Sequence, residues 1–349
     1  MKQEDISIPH IEDPTAEDRK KDHIELAFQS QIEKGQLDKR FYYEPLFSPH
    51  PSEKGAMTPF SFLGKTMNAP VWVSSMTGGT QMASIINHNL ARACGEFGLG
   101  MGLGSCRSLL YSDEYFKDFD VRFLIGDRFP LYANLGIAQI EQLISKNELY
   151  LVSQLIEKLQ ADGLIVHINP FQEWMQPEGD RFKISPLETI QELLAKTNTR
   201  IIVKEVGQGM GYESLKALFS LPLEAIDFAG SGGTNFSMIE LLRSNKEQQE
   251  AYAKLAHIGH SCEEMVDMTN RIKIELGDKM QCKQVIISGG VKDFLDGYYL
   301  MEKIKLPAVY GQASGFLKFA QKDYEYLRQH IIRQLNGLAL AKAFLKIRI

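Results

Sequence analysis

The chain has 349 residues, of which 44% are hydrophobic and 24% charged, a composition typical of a globular protein with one large domain or two ordinary ones. A net charge of −5 argues against a nucleic-acid-binding surface, and no run approaches the 18 apolar residues of a transmembrane helix. The acidic start lacks the apolar core of a signal peptide, and the four cysteines show neither CxxC spacing nor a disulfide framework. These features predict a cytoplasmic protein without a membrane or nucleic-acid partner.

Residues 1–68 predict an extension that packs on a larger domain. Within it, residues 19–32 predict a helix because apolar side chains recur on one face, and residues 36–68, with four prolines, predict irregular structure. The start of the helix carries Arg19, Lys20, Lys21 and His23. Such a basic cluster is either a solvated turn or an anion clamp beside the positive end of the helix.

From residue 69 onward, short apolar runs alternate with amphipathic helical stretches. The runs are 69–79, 98–107, 130–136, 163–169, 200–209, 225–234, 284–290 and 307–313. The helical stretches are 82–98, 140–159, 186–197, 214–221, 262–277, 293–304 and 314–346. Strands that alternate with helices form a parallel sheet with right-handed crossovers, and eight such units predict a single (β/α)₈ TIM barrel over residues 69–349. A doubly wound sheet is the alternative, but the G-x-G-x-x-G fingerprint expected after its first strand is absent from the sequence.

Two further features of the barrel region lead to expectations. Residues 235–261 lengthen the sixth connection and predict either a lid or a subunit contact. Trp72, in the first strand, is expected to pack against the surrounding helices.

The stretch 163–181 predicts one wall of an active site. A short β-branched strand is followed by closely spaced polar and ionisable side chains, which are costly to bury without partners. These side chains are His167, Asn169, Gln172, Glu173, Gln176, Glu178 and Asp180.

Other strand ends carry polar or small residues, and in a TIM barrel the active site lies at the carboxyl ends of the strands. The segments 230–234 (GSGGT) and 288–290 (SGG) place successive backbone N–H groups where they can bind an anion. Lys204, at the end of the fifth strand, is suited to stabilise negative charge on a cofactor or to form a Schiff base.

The motifs of this chain resemble those of the type 2 isopentenyl-diphosphate Δ-isomerases, a family of FMN-dependent barrels, over roughly residues 19–320. They are RKKDH, SSMTGG, GSCR, ANLG, HINPFQEWMQPEGD, VKEVGQG, AGSGGT and SGG, in this order. The resemblance implies conversion of isopentenyl diphosphate to dimethylallyl diphosphate in isoprenoid biosynthesis, by a 1,3-allylic proton shift with no net redox change. It also implies FMN reduced by NADPH, a Mg²⁺ ion, and a homo-oligomer that is a tetramer or octamer.

The resemblance further implies roles for individual residues. The FMN contacts fall on Ser75, Met76, Thr77, Ser105, Asn134, Lys204, Thr234, Gly289, Gly290, Val291, Ala313 and Ser314. The substrate contacts fall on Arg19, Lys20, His23, Ser105, Cys106, Arg107 and Gln172. Gln172 and His167 are the expected catalytic residues, and Glu173 is the expected Mg²⁺ ligand. The chain departs from the family at Cys106, where glutamine is usual, and in the helix after Gly290, which lacks the usual arginine-, lysine- and alanine-rich composition.

Three other functions remain open. A hydroxy-acid oxidase or dehydrogenase needs a histidine–arginine pair at the seventh strand end, where this chain has SGGVK. A flavin-free lyase of the aldolase type would use Lys204 as its Schiff-base amine. A binding protein or inactive homologue would bind FMN or diphosphate without turnover, and the intact Gln172–Glu173 pair argues against it.

Overall fold

The computed structural model describes residues 15–52, 57–75 and 81–348. They divide into a small unit, residues 15–42 with Arg348, and a large unit, residues 43–347. The strands are β1 (Phe41–Tyr43), β2 (Phe60–Phe62), β3 (Lys65–Met67), β4 (Val71–Val73), β5 (Gly100–Gly102), β6 (Leu131–Gly136), β7 (Gly163–His167), β8 (Ile201–Lys204), β9 (Ala225–Asp227), β10 (Val285–Ser288), β11 (Ala308–Gln312) and β12 (Leu345–Ile347).

The helices of the described residues lie mainly between the strands of the large unit. They are α1 (Ala16–Leu26), α2 (Gln81–Phe97), α3 (Phe116–Phe119), α4 (Arg122–Ile125), α5 (Ile137–Ser145), α6 (Tyr150–Leu159), α7 (Pro170–Met175), α8 (Pro186–Lys196), α9 (Tyr212–Phe219), α10 (Phe236–Arg243), α11 (Lys246–Tyr252), α12 (Cys262–Leu276), α13 (Phe294–Lys303), α14 (Ser314–Ala320) and α15 (Tyr324–Phe344). No helix in the described ranges is both long and apolar enough to cross a membrane.

The strands β4 to β11 form a closed barrel in which every neighbouring pair is parallel. Their order around the barrel follows the chain, and β11 closes it against β4, with Tyr310 opposite Val71. Each of the eight apolar runs of the sequence contains one of these strands. The predicted (β/α)₈ TIM barrel is therefore confirmed.

Trp72 lies in the barrel interior, so the expectation that it packs against the helices is wrong. It is fully buried in a cluster with Tyr132, Ile165 and other residues from seven of the eight strands. The room for its indole ring comes from Gly100 on the neighbouring strand, because a Cβ atom there would lie 2.4 Å from Trp72 Cε3.

The antiparallel hairpin β2–β3 contributes to the same cluster through Phe62, Leu63 and Met67. The irregular structure expected over residues 36–68 thus contains a hairpin that belongs to the large unit. Its apolar side chains fill the barrel interior, which removes their surface from water.

Three predicted helical stretches differ in the structure, and one of them, 314–346, is divided into α14 and α15. The stretch 140–159 is divided into α5 and α6 near Asn147, which has a left-handed φ of 57° that interrupts the helix. The helix predicted over residues 19–32 ends at Leu26 instead. Beyond it, Phe28 and Ile32 are 83% and 71% exposed, so no buried face of the small unit stabilises further turns.

Residues 235–261 form α10, α11 and a short 3₁₀ helix. Leu241 and Ala256 from this segment pack in one apolar cluster with Phe171 and Met175 of α7. The long sixth connection is therefore helical and packed against the segment that follows β7.

Candidate active site

Two adjoining cavities lie at the carboxyl ends of the barrel strands. The larger has a volume of about 310 Å³ and is bounded by segments that follow β4 and β8 to β11. The smaller, about 120 Å³, is bounded by segments that follow β4 to β9. Ser75, Lys204, Val206 and Phe236 line both cavities. The strand ends thus enclose one continuous site with a shared floor.

Most of the residues expected to contact FMN line the larger cavity. They are Ser75, Lys204, Thr234, Gly289, Gly290, Val291, Ala313 and Ser314. The Ser75 hydroxyl is buried and has no hydrogen-bond partner among the described residues, so it is available to a bound molecule. Met76 and Thr77 lie outside the described residues.

The glycine segment after β10 folds tightly against the segment after β9. Gly289 and Gly290 have φ angles of 93° and 71°, and a Cβ atom on Gly289 would lie 2.1 Å from the Gly230 carbonyl oxygen. Only glycine fits there. The backbone N–H groups of Gly290 and Val291 have no partner within the described ranges, and successive N–H groups of this kind form an anion-binding nest.

Lys204 brings a buried positive charge to the shared floor. Its residue is 7% exposed, and its Nζ donates a hydrogen bond to the Glu205 carbonyl oxygen at 2.7 Å. Asp227, its register partner on β9, is fully buried, and that burial raises the pKa of the Asp227 carboxyl group although the Lys204 ammonium opposes the rise. The floor therefore offers one fixed cation to a bound anion.

His167 is held in a neutral form at the end of β7. Burial, together with the nearby Lys204 ammonium, lowers the pKa of His167 to about 3. Its Nδ1 lies 2.8 Å from Asn134 Oδ1, and Asn134 Nδ2 donates to the Leu103 carbonyl oxygen at 3.0 Å. Because the amide nitrogen is engaged as a donor, Asn134 Oδ1 must accept from Nδ1–H, which leaves His167 Nε2 as an acceptor.

This geometry gives Asn134 a task that the sequence does not reveal, and the FMN contact expected of it stays a prediction. Asn134 lines the smaller cavity, yet both ends of its amide are engaged by Leu103 and His167. It therefore fixes the tautomer of His167 through a contact 33 residues away in the chain.

Gln172 and Glu173 lie on α7, a helix that begins at Pro170. Asn169 Nδ2 donates to Gln172 Oε1 at 3.1 Å and to Glu173 Oε1 at 3.0 Å. Gln172 lines the smaller cavity, whereas Glu173 is 8% exposed and is absent from the walls of both. Asn169 thus orients both side chains, a role that its place in a polar run does not reveal.

Glu173 is a single carboxylate rather than part of a metal cluster. Its Oε2 accepts the Asp180 backbone N–H at 2.7 Å, and the described residues contain no group of three or more His, Cys, Asp or Glu side chains that could hold a metal ion. The remaining lone pairs suit Mg²⁺, which takes one or two carboxylates and fills its other positions with phosphate oxygens and water. The donor set therefore fits Mg²⁺ only together with an anionic substrate.

The three residues after Gly104 differ in access to the site. Ser105 lines the smaller cavity, and Arg107 is exposed with its Nη1 3.0 Å from Asp180 Oδ2. Cys106 is fully buried, its Sγ lies 3.3 Å from the Gly104 carbonyl oxygen, and burial raises the pKa of its thiol to about 12. The Cys106 side chain is thus closed off from the cavities, while both of its neighbours are accessible.

The remaining predicted substrate contacts lie on another part of the chain. Arg19, Lys20 and His23 are exposed residues of α1 in the small unit. Val206 and Phe236, in contrast, line both cavities, although neither apolar residue carries a functional signal in the sequence.

Comparison with known proteins decides the family. An isopentenyl-diphosphate delta-isomerase of Rickettsia canadensis (strain McKiel) is 35% identical over 329 residues, 91% of either chain. The enzyme of that name from Rickettsia felis (strain ATCC VR-1525 / URRWXCal2) is 34% identical over 328 residues, 91% of this chain and 90% of its own. This chain belongs to the isopentenyl-diphosphate delta-isomerase family. The family expected from the motifs is confirmed, although no protein-family model matches the chain.

Solved structures with the same fold are more distant from this family member. A flavocytochrome b2 variant with pyruvate bound has a TM-score of 0.59 at 14% identity, covering 87% of this chain and 71% of its own. A mandelate oxidase variant with (S)-mandelic acid has a TM-score of 0.55 at 13% identity, covering 89% and 87%. These likenesses support the TIM barrel alone.

Proposed function

We propose that this protein isomerises isopentenyl diphosphate to dimethylallyl diphosphate, using reduced FMN and Mg²⁺. The observation that carries the proposal is the Gln172–Glu173 pair, oriented by Asn169 beside a cavity whose floor is Lys204. The relatives with 33–35% identity bear the name of this activity over about nine-tenths of the chain, which supports the same substrate here.

FMN is the cofactor that suits the larger cavity best. The N–H groups of Gly290 and Val291 would bind its phosphate, and the Ser75 hydroxyl and Lys204 ammonium would contact its ring. When bound and reduced, FMN supplies an electron-rich ring that serves in acid–base chemistry or stabilises cationic character. NADPH is the proposed reductant.

The chain's own residues provide the remaining parts of the site. Glu173 would hold Mg²⁺ with the diphosphate oxygens, while Ser105 and Arg107 would donate hydrogen bonds to the same anion. The diphosphate would thereby be fixed at one end of the site, with the alkene directed inward. The substrate-binding role expected of Arg19, Lys20 and His23, which lie in the small unit, stays a prediction.

The proton shift requires neutral groups near the alkene. A proton is added to the terminal alkene carbon and another is removed from the adjacent methylene, so that positive charge develops between them. Gln172 is neutral at this position, whereas a carboxylate would trap the cation. His167 is neutral too, and its Nε2 can accept a hydrogen bond or a proton.

Two other functions have less support. The end of β10 carries Ser288, Gly289, Gly290 and Val291, followed by Lys292, so the histidine–arginine pair of a hydroxy-acid oxidase is absent from it. Lys204 Nζ donates a hydrogen bond to a backbone carbonyl oxygen. Borohydride treatment with substrate would trap Lys204 covalently only if the protein were a Schiff-base lyase.

An anaerobic assay tests the proposed function. Purified protein is incubated with FMN, NADPH, Mg²⁺ and isopentenyl diphosphate, and dimethylallyl diphosphate is followed over time. Parallel samples omit the reductant or the metal. We expect product only in the complete mixture, and a yellow, FMN-loaded protein that forms none would retain the cofactor proposal but overturn the substrate.

A further inference from the structure

We propose that Asp180 is a positioning residue that holds Arg107 for the diphosphate group of an anionic substrate. The inference rests on the proposed function and extends it to a residue that contacts Arg107 but lines neither cavity. Asp180 lies in the segment between α7 and α8, and its side chain is 20% exposed.

Three donors from two other segments converge on the Asp180 carboxylate. Arg107 Nη1 and Gln139 Nε2 each lie 3.0 Å from Oδ2, and Gln142 Nε2 lies 2.9 Å from Oδ1. Gln139, which is 5% exposed, also accepts the Gly136 N–H at 3.0 Å, so it ties the carboxylate to the end of β6. The two glutamines therefore fix the carboxylate independently of Arg107.

The contact with Asp180 fixes the Arg107 guanidinium and leaves most of its N–H donors available to a ligand. Arg107 uses one N–H to reach Asp180, and a guanidinium has five. The Arg107 side chain is 57% exposed, so its other donors are accessible to solvent. Arg107 follows Ser105, which lines the smaller cavity, by two residues. An arginine anchored in this way loses less conformational entropy when a diphosphate binds.

Asp180 also contacts Glu173, but through its backbone. The Asp180 N–H donates to Glu173 Oε2 at 2.7 Å, and this bond survives any side-chain substitution at Asp180 that preserves the local backbone. A side-chain variant therefore separates the anchoring of Arg107 from the orientation of Glu173.

The test compares Asp180→Asn and Asp180→Ala with the wild-type holoenzyme. We expect the KM for isopentenyl diphosphate and the Kd for Mg²⁺-inorganic pyrophosphate, measured by calorimetry, each to rise about tenfold in Asp180→Ala. The Kd for FMN, the Mg²⁺ concentration for half-maximal activity and kcat should change by less than about twofold, because Glu173 and the cofactor cavity keep their contacts. Asp180→Glu should recover part of the loss.

A double-mutant cycle decides whether Asp180 acts through Arg107. In the Arg107→Ala background, Asp180→Ala should cause no further rise in KM or in the pyrophosphate Kd. An undiminished tenfold effect in that background, or wild-type values in Asp180→Ala itself, would overturn the inference. So would a parallel loss of FMN affinity, since it would indicate a general structural defect.

Asp278→Asn is the matched control, since Asp278 is an exposed carboxylate in the turn Gly277–Lys279, which precedes β10 at the opposite end of the barrel. It should leave all of these constants unchanged, and a similar rise in this control would contradict the assignment. If the wild-type protein binds pyrophosphate but lacks isomerase activity, the proposed function is refuted. The role of Asp180 is then still tested by the calorimetric Kd for Mg²⁺-pyrophosphate.

Discussion

Amides, rather than charges, orient the side chains nearest the proposed chemistry. Asn169 holds Gln172 and Glu173, while Asn134 holds His167. A neutral amide can fix geometry without adding charge beside a developing cation. The polar run that begins at the end of β7 marks His167, Asn169, Gln172 and Glu173 in the sequence. Which residue orients which depends on contacts that the sequence does not show, including the contact of Asn134 with His167.

Gln172→Ala tests the residue that we propose to lie beside the alkene. We expect kcat to fall by at least about a hundredfold, because the polarisable amide is lost from the cavity wall. The Kd for FMN, measured by flavin fluorescence, should stay unchanged, since Gln172 lines the smaller cavity and not the larger one. Gln154→Ala, at an exposed site on α6, is the control, and unchanged turnover in Gln172→Ala would refute the role.

His167 makes the stability of the protein depend on pH. Because its pKa is lowered to about 3, the unfolded chain binds a proton below pH 6.5 that the folded chain does not bind. Its contribution to stability is thus lost as the pH falls from about 6.5 towards 3, by up to about 1.4 kcal/mol per pH unit.

Urea unfolding between pH 7 and pH 4 measures this effect. The free energy of unfolding of His167→Gln should fall less steeply with decreasing pH than that of the wild type. Parallel profiles for the two proteins would show that His167 does not carry the depressed pKa.

At the scale of elements, the barrel strands are largely predictable and several helices are not. Apolar runs such as 200–209 contain the strands because a parallel barrel buries both faces of each strand. The helix α7 is not predicted, because its six residues begin at Pro170 and are too few and too polar to show a helical pattern. The break between α5 and α6 depends on one left-handed φ angle, at Asn147. The inward direction of Trp72 depends on Gly100 of the adjacent strand, a pairing that the local sequence does not show.

The glycine segment after β10 leads to a prediction about FMN. Gly289→Ala would place a methyl group against the Gly230 carbonyl at a φ of 93°, a strain of about 1–3 kcal/mol that displaces the adjacent N–H groups. The Kd for FMN should therefore rise about tenfold or more.

Riboflavin, which lacks the phosphate, separates this local effect from a general one. Its Kd should rise much less than that of FMN in Gly289→Ala. Gly35→Ala, where a Cβ atom meets no neighbour within 4 Å, is the control variant. An equal loss of affinity for both flavins would contradict phosphate binding by this segment.

The hairpin β2–β3 should be essential for stability. Phe62 is 1% exposed in the barrel-interior cluster, so Phe62→Ala is expected to lower the free energy of unfolding by about 3–5 kcal/mol. Phe123, 69% exposed, is the matched control, and Phe123→Ala should stay within about 0.5 kcal/mol of the wild type. Urea denaturation of both variants provides the measurement, and similar losses would contradict the role of the hairpin.

At the scale of the whole molecule, two features lie at the carboxyl end of the barrel. One is the glycine segment after β10, which is suited to bind a phosphate. The other is the group of side chains oriented by Asn134 and Asn169, which is suited to an allylic cation. The fold alone is shared with structures of a flavocytochrome b2 and a mandelate oxidase, so it does not select the reaction. The reaction that we propose rests instead on Gln172, Glu173 and His167, near the carboxyl end of β7. The predicted tetramer or octamer is a separate property, which light scattering of the purified protein would measure.

The most direct test of the account is product analysis in D₂O. The protein is incubated anaerobically with reduced FMN, Mg²⁺ and isopentenyl diphosphate, and the products are examined by ¹H and ²H NMR. A 1,3-allylic proton shift should yield dimethylallyl diphosphate with solvent deuterium in a methyl group, which derives from the terminal alkene carbon. Recovery of unchanged isopentenyl diphosphate from the FMN-loaded protein would contradict the proposed activity.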